Sequence, residues 1–374
     1  MAIIEPVINL PVTSQTLPAD WPGNFWGHWV LFTLLIIIGF FLVFMGYIYI
    51  ARRGIGRMGS RVGPNRTGPF GLVQALADAV KVITKESITP DAVDKPIYWL
   101  APIVSLVPVF LVFAVIPFTN GGVLADLNIG ILFIVAISSI STLGMFMAGW
   151  SSNNKFSLIS SMRVVAAVIS YEFPMIIALA SVLLMTGSLS LNDMVLAQDI
   201  PFILLQPLGF VIFFLAGLAE VSRAPFDLIE ADQEIVAGFF VEYSGVKFVC
   251  FYLMEFGESI LFSALITTIF LGGWRGPILP EWIWFLVKCF IVWSFIVWIW
   301  GTLPRVRIDQ MMAIAWKFLL PLSVINLIIT AIEILVLPED SLWIMIPVNF
   351  AVTIVLILFW SKKFFVLGRG RVEV

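Results

Sequence analysis

WIWFLVKCFIVWSFIVWIWGTL, residues 282–303, carries a single charge, Lys288, in an otherwise apolar run. A run of about 20 such residues is long enough to cross the ~30 Å hydrocarbon core of a bilayer as a helix. Eight more runs of this kind fall near 29–50, 98–118, 127–149, 164–187, 202–219, 246–271, 313–337 and 342–361. Together they predict an all-α, polytopic transmembrane bundle of about nine spans, one integral membrane domain over 1–374. Composition agrees, with 60% hydrophobic residues, a mean hydropathy of +1.05 and only 12% charged residues. About 25% is usual for charged residues, so a water-soluble surface cannot be covered. A net charge of −3 excludes a nucleic-acid binder held by phosphate contacts. The 33 Phe and 14 Trp exclude a disordered chain.

Orientation follows from the basic residues. Residues 1–51 contain no Lys or Arg, and the stretch Met1–Gly27 therefore lacks the n-region of a cleavable signal peptide. Trp21, Trp26 and Trp29 read as interfacial anchors of the first span. All but two of the 21 Lys and Arg, the exceptions being Arg275 and Lys288, fall on one side of the bundle. This asymmetry predicts the N-terminus outside and the C-terminus in the cytoplasm of a bacterial-type plasma membrane.

Two connections on the basic side are unlike short loops. The first, over 52–97, opens with RRGIGRMGSRVGPNRTGPFG, whose Gly and Pro residues demand tight turns. As a binding signal it is no stronger than a basic membrane-surface connector. In the following segment Leu72, Ala75, Leu76, Ala79 and Val80 share one face, which predicts an amphipathic helix at the membrane boundary. The second connection, 220–245, holds Glu220, Asp227, Glu230, Asp232, Glu234 and Glu242, with Arg223 the only cation among them. Pro225 suits the first turn of a short helix. Asp227, Glu230 and Glu234 then follow i, i+3, i+7 on one face. Carboxylates held so close cannot all ionise cheaply, so protons are shared. A solvated anionic loop is the plainer reading. The interleaved Phe226, Ile229, Ile235, Val236, Phe239 and Phe240 favour a buried amphipathic segment.

Ionisable residues within spans are costly and mark function by default. Glu172 sits two residues before Pro174, Glu255 and Glu258 lie one turn apart, and Lys288 on the next span is their expected counter-ion. The competing reading is an ion pair that only sets helix register. Glu333, near the end of its span, reads as a snorkelling residue and LPRVRIDQ as a basic cap. Cys250, Cys289 and the sole histidine, His28, offer neither a disulfide framework nor a metal-site spacing. Any redox centre is expected in a partner.

Several long segments, in order, closely resemble the quinone-site membrane subunit of respiratory complex I, known as the subunit 1 or H family. They are RVGPNRTGPFGLVQALADAVKVITKE, ADLNIGILF, GWSSNNKFSLISSMR with ISYE, RAPFDLIEADQEIVAGFFVEYSG, FLGGW, and TLPRVRIDQMM with WKFLLP. The resemblance implies a membrane subunit of a proton-pumping NADH:quinone oxidoreductase, placed where the membrane arm meets the peripheral arm. It implies a quinone of the ubiquinone or menaquinone type as substrate. FMN and iron–sulfur clusters would sit in partner subunits, and no cofactor in this chain. The implied partners are the peripheral-arm subunits, small membrane subunits and antiporter-like subunits. By motif match, Arg52, Arg53, Arg61, Asp78, Lys81, Arg223 and Phe226 would border the quinone path. Glu172, Glu220, Asp227, Glu230, Asp232, Glu234 and Glu242, with Glu255 and Lys288, would form a proton relay.

The sequence departs from the family pattern at Ala51, Ile229, Asp232, Phe240 and Trp300, and Glu258 is an extra acid. The family usually has eight spans, so the helix and basic tail over 342–374 look like an addition. Two other classes compete: a membrane anchor of a related energy-converting hydrogenase, and a stand-alone ion transporter. No matched pair of interrupted helices supports the second.

Overall fold

The computed structural model describes residues 26–227, 236, 238–336 and 343–369. Among them no β-strand forms, and helices occupy all nine expected span positions. These are α1 (Trp26–Met58), α3 (Lys95–Phe113), α4 (Gly130–Ser151), α5 (Lys155–Thr186), α8 (Pro207–Glu220), α9 (Val246–Phe270), α10 (Glu281–Thr302), α11 (Ile308–Val336) and α12 (Met345–Arg369). The shorter helices are α2 (Gln74–Thr84), α6 (Leu191–Leu196) and α7 (Phe202–Leu205). Among the described residues six helices are long and apolar enough to cross a membrane: α3, α4, α5, α9, α10 and α11. The chain is a polytopic membrane helix bundle.

Two boundaries differ from the sequence reading. The first helix does not stop near residue 50 but runs to Met58, so Arg52 and Arg53 are helical rather than part of a loop. It ends where Ser60 turns left-handed (φ 53°), letting Arg61 N donate to Gly56 O (2.8 Å) and Ser60 N to Arg57 O (3.1 Å). That double bond closes the last carbonyls of the helix. The run 202–219 is not one span. Pro207 disfavours helical geometry at its predecessor, and Gln206 is non-helical (φ −129°, ψ 64°). The remaining α8 has 14 residues, about 21 Å at 1.5 Å per residue, less than the hydrocarbon thickness.

A broken helix inside the bundle leaves backbone and side-chain polar groups to satisfy, and residues of neighbouring helices do so. The Gln206 amide donates to Ser181 O (3.1 Å) and Thr330 Oγ1 (3.2 Å), while its Oε1 accepts from Ser181 Oγ (2.9 Å). Leu205 O accepts from Asn349 Nδ2 (2.7 Å) on α12, and the same amide reaches Glu333 Oε2 (2.9 Å) on α11. Glu333 is therefore half-buried and paired, not snorkelling. The additional C-terminal helix packs on this chain, against α7, α8 and the π-helical turn Ile314–Leu319 of α11. Asn349→Leu is expected to loosen that docking by about 1 kcal/mol, the scale of an interhelical hydrogen bond in a membrane. Thermal unfolding in mixed micelles, with a disulfide cross-link between α8 and α12 as reporter, measures it.

Helices approach most closely where a side chain is missing. A Cβ on Gly144 of α4 would lie 2.6 Å from Ser105 N of α3. One large apolar cluster runs through α3, α4, α5, α8, α9, α10 and α11. A smaller one joins α1, α9 and α10 through Phe44, Ile48, Ala51, Phe256, Ile260, Trp293 and Val297. Ala51 is only 1% exposed there, so this departure from the family pattern is a packing residue.

The basic connections gather at one end of the bundle. Asp94 N bonds Ser151 O, Ser244 Oγ receives Ile88 N, Lys247 Nζ reaches Thr89 Oγ1, and Val306 N bonds Pro225 O. At the opposite end lie the two exceptions, Arg275 with Asp199 and Lys288 with the loop after α9. The grouping inferred from charge alone is thus met by the chain's own contacts.

Candidate functional site

The end of α1 and the amphipathic α2 are joined by an ion pair between Arg52 and Asp78. Gln74 Nε2 adds a second bond to Asp78 (2.9 Å), and Thr67 Oγ1 holds Gln74 Oε1 (2.5 Å). Burial opposes the charged form of Asp78. The hydrogen bonds from Arg52 and Gln74, with the charges of Arg52 and Lys81, outweigh it and hold the carboxyl below its usual range. Arg53 donates to Tyr49 and to Phe70 O (3.3 Å) and lies over both rings, 5.7 and 5.9 Å from their centroids. Arg61 is exposed just past the cap of α1. The apolar face of α2 points outward, with Leu72, Leu76 and Val80 all exposed, and no residue of α2 is fully buried.

The lowered Asp78 pKa makes a signed prediction. A carboxyl whose folded pKa lies below its unfolded value near 3.9 stabilises above that value. The contribution vanishes as pH falls through the folded pKa. The α1–α2 tether is therefore expected to hold at mildly acidic pH and to release only below about pH 4. Hydrogen exchange of residues 74–84, corrected for intrinsic rates, reads this, and Asp78→Asn should remove the acid-dependent step.

From Arg52 the polar path continues inward. Arg52 bonds Tyr252, whose ring packs on Phe256 (4.7 Å between centroids). Phe256 forms one wall around Arg223, its centroid 4.4 Å from the guanidinium carbon, and Trp300 forms the other at 4.3 Å. Arg223 is 4% exposed, bonds Glu255 Oε1 through Nη1 (2.9 Å) and donates from Nε to Ser259 Oγ (3.3 Å). A planar guanidinium suits both the stacking and the ion pair, and a lysine would supply neither geometry. Its Nη2 is buried with no partner among the described residues. Phe226, three residues on, is buried against the Tyr171 ring at 5.1 Å.

Glu255 thus has a counter-ion, but not the one expected. The Lys288 ammonium instead donates to three carbonyls after α9: Leu271 (2.8 Å), Gly273 (3.0 Å) and Arg275 (2.7 Å). A cation at a helix C-terminus satisfies orphan carbonyls and complements the helix dipole. Glu258 and Leu271 are 13 residues apart, so about 20 Å separates Lys288's site from the acids. Arg223, from the loop after α8, takes the counter-ion role because that loop folds back over α9.

Beyond this clamp lie further acids. Glu258 Oε1 accepts from Ser141 Oγ (2.6 Å), Glu220 is paired with Ser138, and Glu172 accepts from Ser139. Glu220 and Glu258, with Ser138 and Ser141, line a cavity of about 70 Å³ between α3, α4, α5, α8 and α9. Glu242 Oε1 accepts from Asn154 Nδ2 (2.7 Å), while its carbonyl accepts from Tyr98 (2.7 Å), whose ring stacks on Tyr243 at 4.1 Å. Asp227 is tethered through its carbonyl to Arg305 (3.5 Å). Glu230, Asp232 and Glu234 lie outside the described residues, and with them the expected i, i+3, i+7 face. The structure therefore brings Arg52, Arg53, Asp78 and Lys81 together, and Arg223, Glu255, Glu220 and Glu172 into a second group. Glu242 stands apart from both.

Among the contributors that carry no expected site role are Tyr252, Ser138, Ser141 and Trp300, and Glu258, expected only as a costly in-span acid, joins them. Glu258 is legible as an intramembrane acid, and the run ISSIS (137–141) signals hydroxyls facing the interior of a bundle. Trp300 carries no such signal, because an aromatic residue at that position is equally suited to lipid.

The NADH dehydrogenase family matches residues 31–331. The chain belongs to this family. It is 54% identical over 353 residues to the NADH-quinone oxidoreductase H subunit of Dehalococcoides mccartyi (strain CBDB1), covering 94% of this chain and 99% of that one. The corresponding protein of Carboxydothermus hydrogenoformans is 46% identical over 310 residues, or 80% of this chain and 89% of the relative. That of Geobacillus kaustophilus is 45% identical over 320 residues, or 83% and 96%.

Proposed function

We propose that this chain is the membrane subunit of a proton-pumping NADH:quinone oxidoreductase. In this reading it forms much of the quinone path at the junction with the peripheral arm and starts the acid relay into the membrane. Its basic end would face the cytoplasm, toward partners that carry FMN and iron–sulfur clusters, and antiporter-like subunits would continue the relay. The observation that carries this reading is the unbroken run of charged and aromatic groups from the surface helix inward. It passes from Asp78 and Arg52 through Tyr252 to Arg223 with Glu255, and on to Glu258 and Glu220.

Each part has a physical task. The outward apolar face of α2 suits a lipid-borne substrate that enters from the bilayer. The Nη2 of Arg223, a buried donor without a partner among the described residues, would be satisfied by an acceptor such as a quinone carbonyl. Reduction of a quinone by two electrons from a partner's cluster requires two protons to form the quinol, and nearby acids supply them. Two unit charges about 6 Å apart interact by about 2.8 kcal/mol at an effective dielectric of 20. One charge change therefore moves a neighbouring carboxyl by about two pKa units. Repeated along Asp227, Glu230, Asp232 and Glu234 to Glu220 and Glu172, this coupling transmits reduction to distant ion channels.

The test is Glu234→Gln in the fully assembled complex, which should lower quinone reductase activity and proton pumping together. Unchanged activity with normal assembly overturns the relay. Density for a quinone-site inhibitor beside α2 and Arg223 would test the path independently.

A further inference from the structure

Glu258 stands at the inner end of the run from Asp78, outside the coupling from the loop acids to Glu220 and Glu172, and its surroundings are unusual. It sits in the middle of α9, in a helix packed on α3, α8 and α10. Yet it keeps some accessible surface, and it lines the 70 Å³ cavity. Only one of its oxygens has a protein donor among the described residues, namely Oε1 with Ser141 Oγ. Glu220 opens into the same cavity from α8. The charged groups around the pair are Arg223 from the loop after α8, which acts on Glu258, Glu172 from α5, which acts on Glu220, and Glu255 one turn away on α9. The sole cation among these neighbours is Arg223, already paired with Glu255 and covered on both faces by Phe256 and Trp300.

We infer that Glu258 and Glu220 hold one exchangeable proton between them across this cavity, forming a proton-loading site inside the bundle, deeper than the loop acids. Two carboxyls facing one mostly apolar cavity, with no second cation beside them among the described residues, cannot be ionised together cheaply, so a proton stays on the pair. A single water needs roughly 10–15 Å³ of such space, so the cavity has room for a short bridge of waters. Two carboxyls and the hydroxyls of Ser138 and Ser141 supply the polar partners those waters require, while Val109, Met175 and Phe213 keep the rest of the wall apolar. A proton arriving at Glu220 can then pass to Glu258 without crossing hydrocarbon. Ser141 is a positioning residue here: its hydrogen bond fixes one oxygen of Glu258 and turns the other to the cavity.

This inference rests on the relay reading, and the experiment separates the two. In the assembled complex reconstituted in liposomes, Glu258→Gln and Glu258→Asp are compared with Glu234→Gln. Infrared difference spectra are recorded on quinone reduction, together with protons pumped per quinone reduced. The expected result for Glu258→Gln is loss of one protonated-carboxyl band and a several-fold lower pumping ratio, both partly restored in Glu258→Asp. A purely structural Glu258 would leave that band in place, because Gln keeps the bond from Ser141. If Glu234→Gln abolishes coupled turnover while Glu258→Gln changes neither band nor ratio, the relay stands and this site falls. If both variants are silent, both readings fall. Should Glu258→Gln fail to assemble, Ser141→Ala serves instead: removing its hydrogen bond must shift the carboxyl band to higher wavenumber, and an unmoved band overturns the proposal.

Discussion

Arg223→Met is expected to destabilise the chain by about 3–5 kcal/mol, because it strips the partner from a buried carboxylate. Glu255 sits 2.9 Å from the guanidinium, and both side chains are largely removed from solvent. The loss is compounded by the two stacked rings, which would face a thioether instead of a cation. The double variant Arg223→Met with Glu255→Gln should recover much of the stability, since it no longer buries an uncompensated charge. It should not recover quinone reductase activity if Arg223 supplies a donor to the substrate. Arg223→Lys keeps the charge but loses the planar fork, and should fall between wild type and Met. Thermal unfolding of the purified complex, together with quinone reductase assays, gives both readouts. A single Arg223→Met variant with unchanged melting would show that the clamp carries no structural load.

Gly144→Val is expected to be the next most damaging, by forcing α3 and α4 apart. Even a Cβ there would meet Ser105 N at 2.6 Å and Ser105 Cα at 2.8 Å, and neither is the mobile end of a side chain. Overpacking of this kind costs about 1–3 kcal/mol and is accommodated only by moving backbone. Because Ser141 lies one turn from Gly144 on α4, the displacement should also weaken its bond to Glu258. Gly46→Ala is the control. Nothing lies within 4 Å of a Cβ at that position, so the variant should be neutral or slightly stabilising. Melting temperatures of the two variants side by side decide it.

The helical class and the position of each span follow from hydrophobic runs alone, since a bilayer leaves few alternatives to a helix for an apolar segment. The grouping of basic connections at one end was equally legible. What the runs could not convey was continuity. At 202–219 the hydropathy is high throughout, but Pro207 interrupts the helix; at the break Asn349 satisfies the Leu205 carbonyl, and Ser181 and Thr330 accept from the Gln206 side chain. The amphipathic α2 was visible in its spacing, and its link to Arg52 was not.

For the site, residue type was readable and partnership was not. Glu255 and Lys288 look like a pair when only neighbouring spans are considered. Their separation along α9 and the return of the loop after α8 give Glu255 to Arg223 and Lys288 to a helix end. Ala51 and Trp300 depart from the family pattern as isolated letters. In the fold one fills an apolar contact and the other covers a guanidinium.

By itself the sequence determined that this chain lives in a membrane, where its helices lie, and which costly charges it retains there. Those are local properties, set by the transfer of each segment from water to hydrocarbon. Only the tertiary structure decided which charge neutralises which, and that two carboxyls line one cavity. Pairing energies depend on distances of a few ångströms between residues far apart in the chain, and only packing sets those distances.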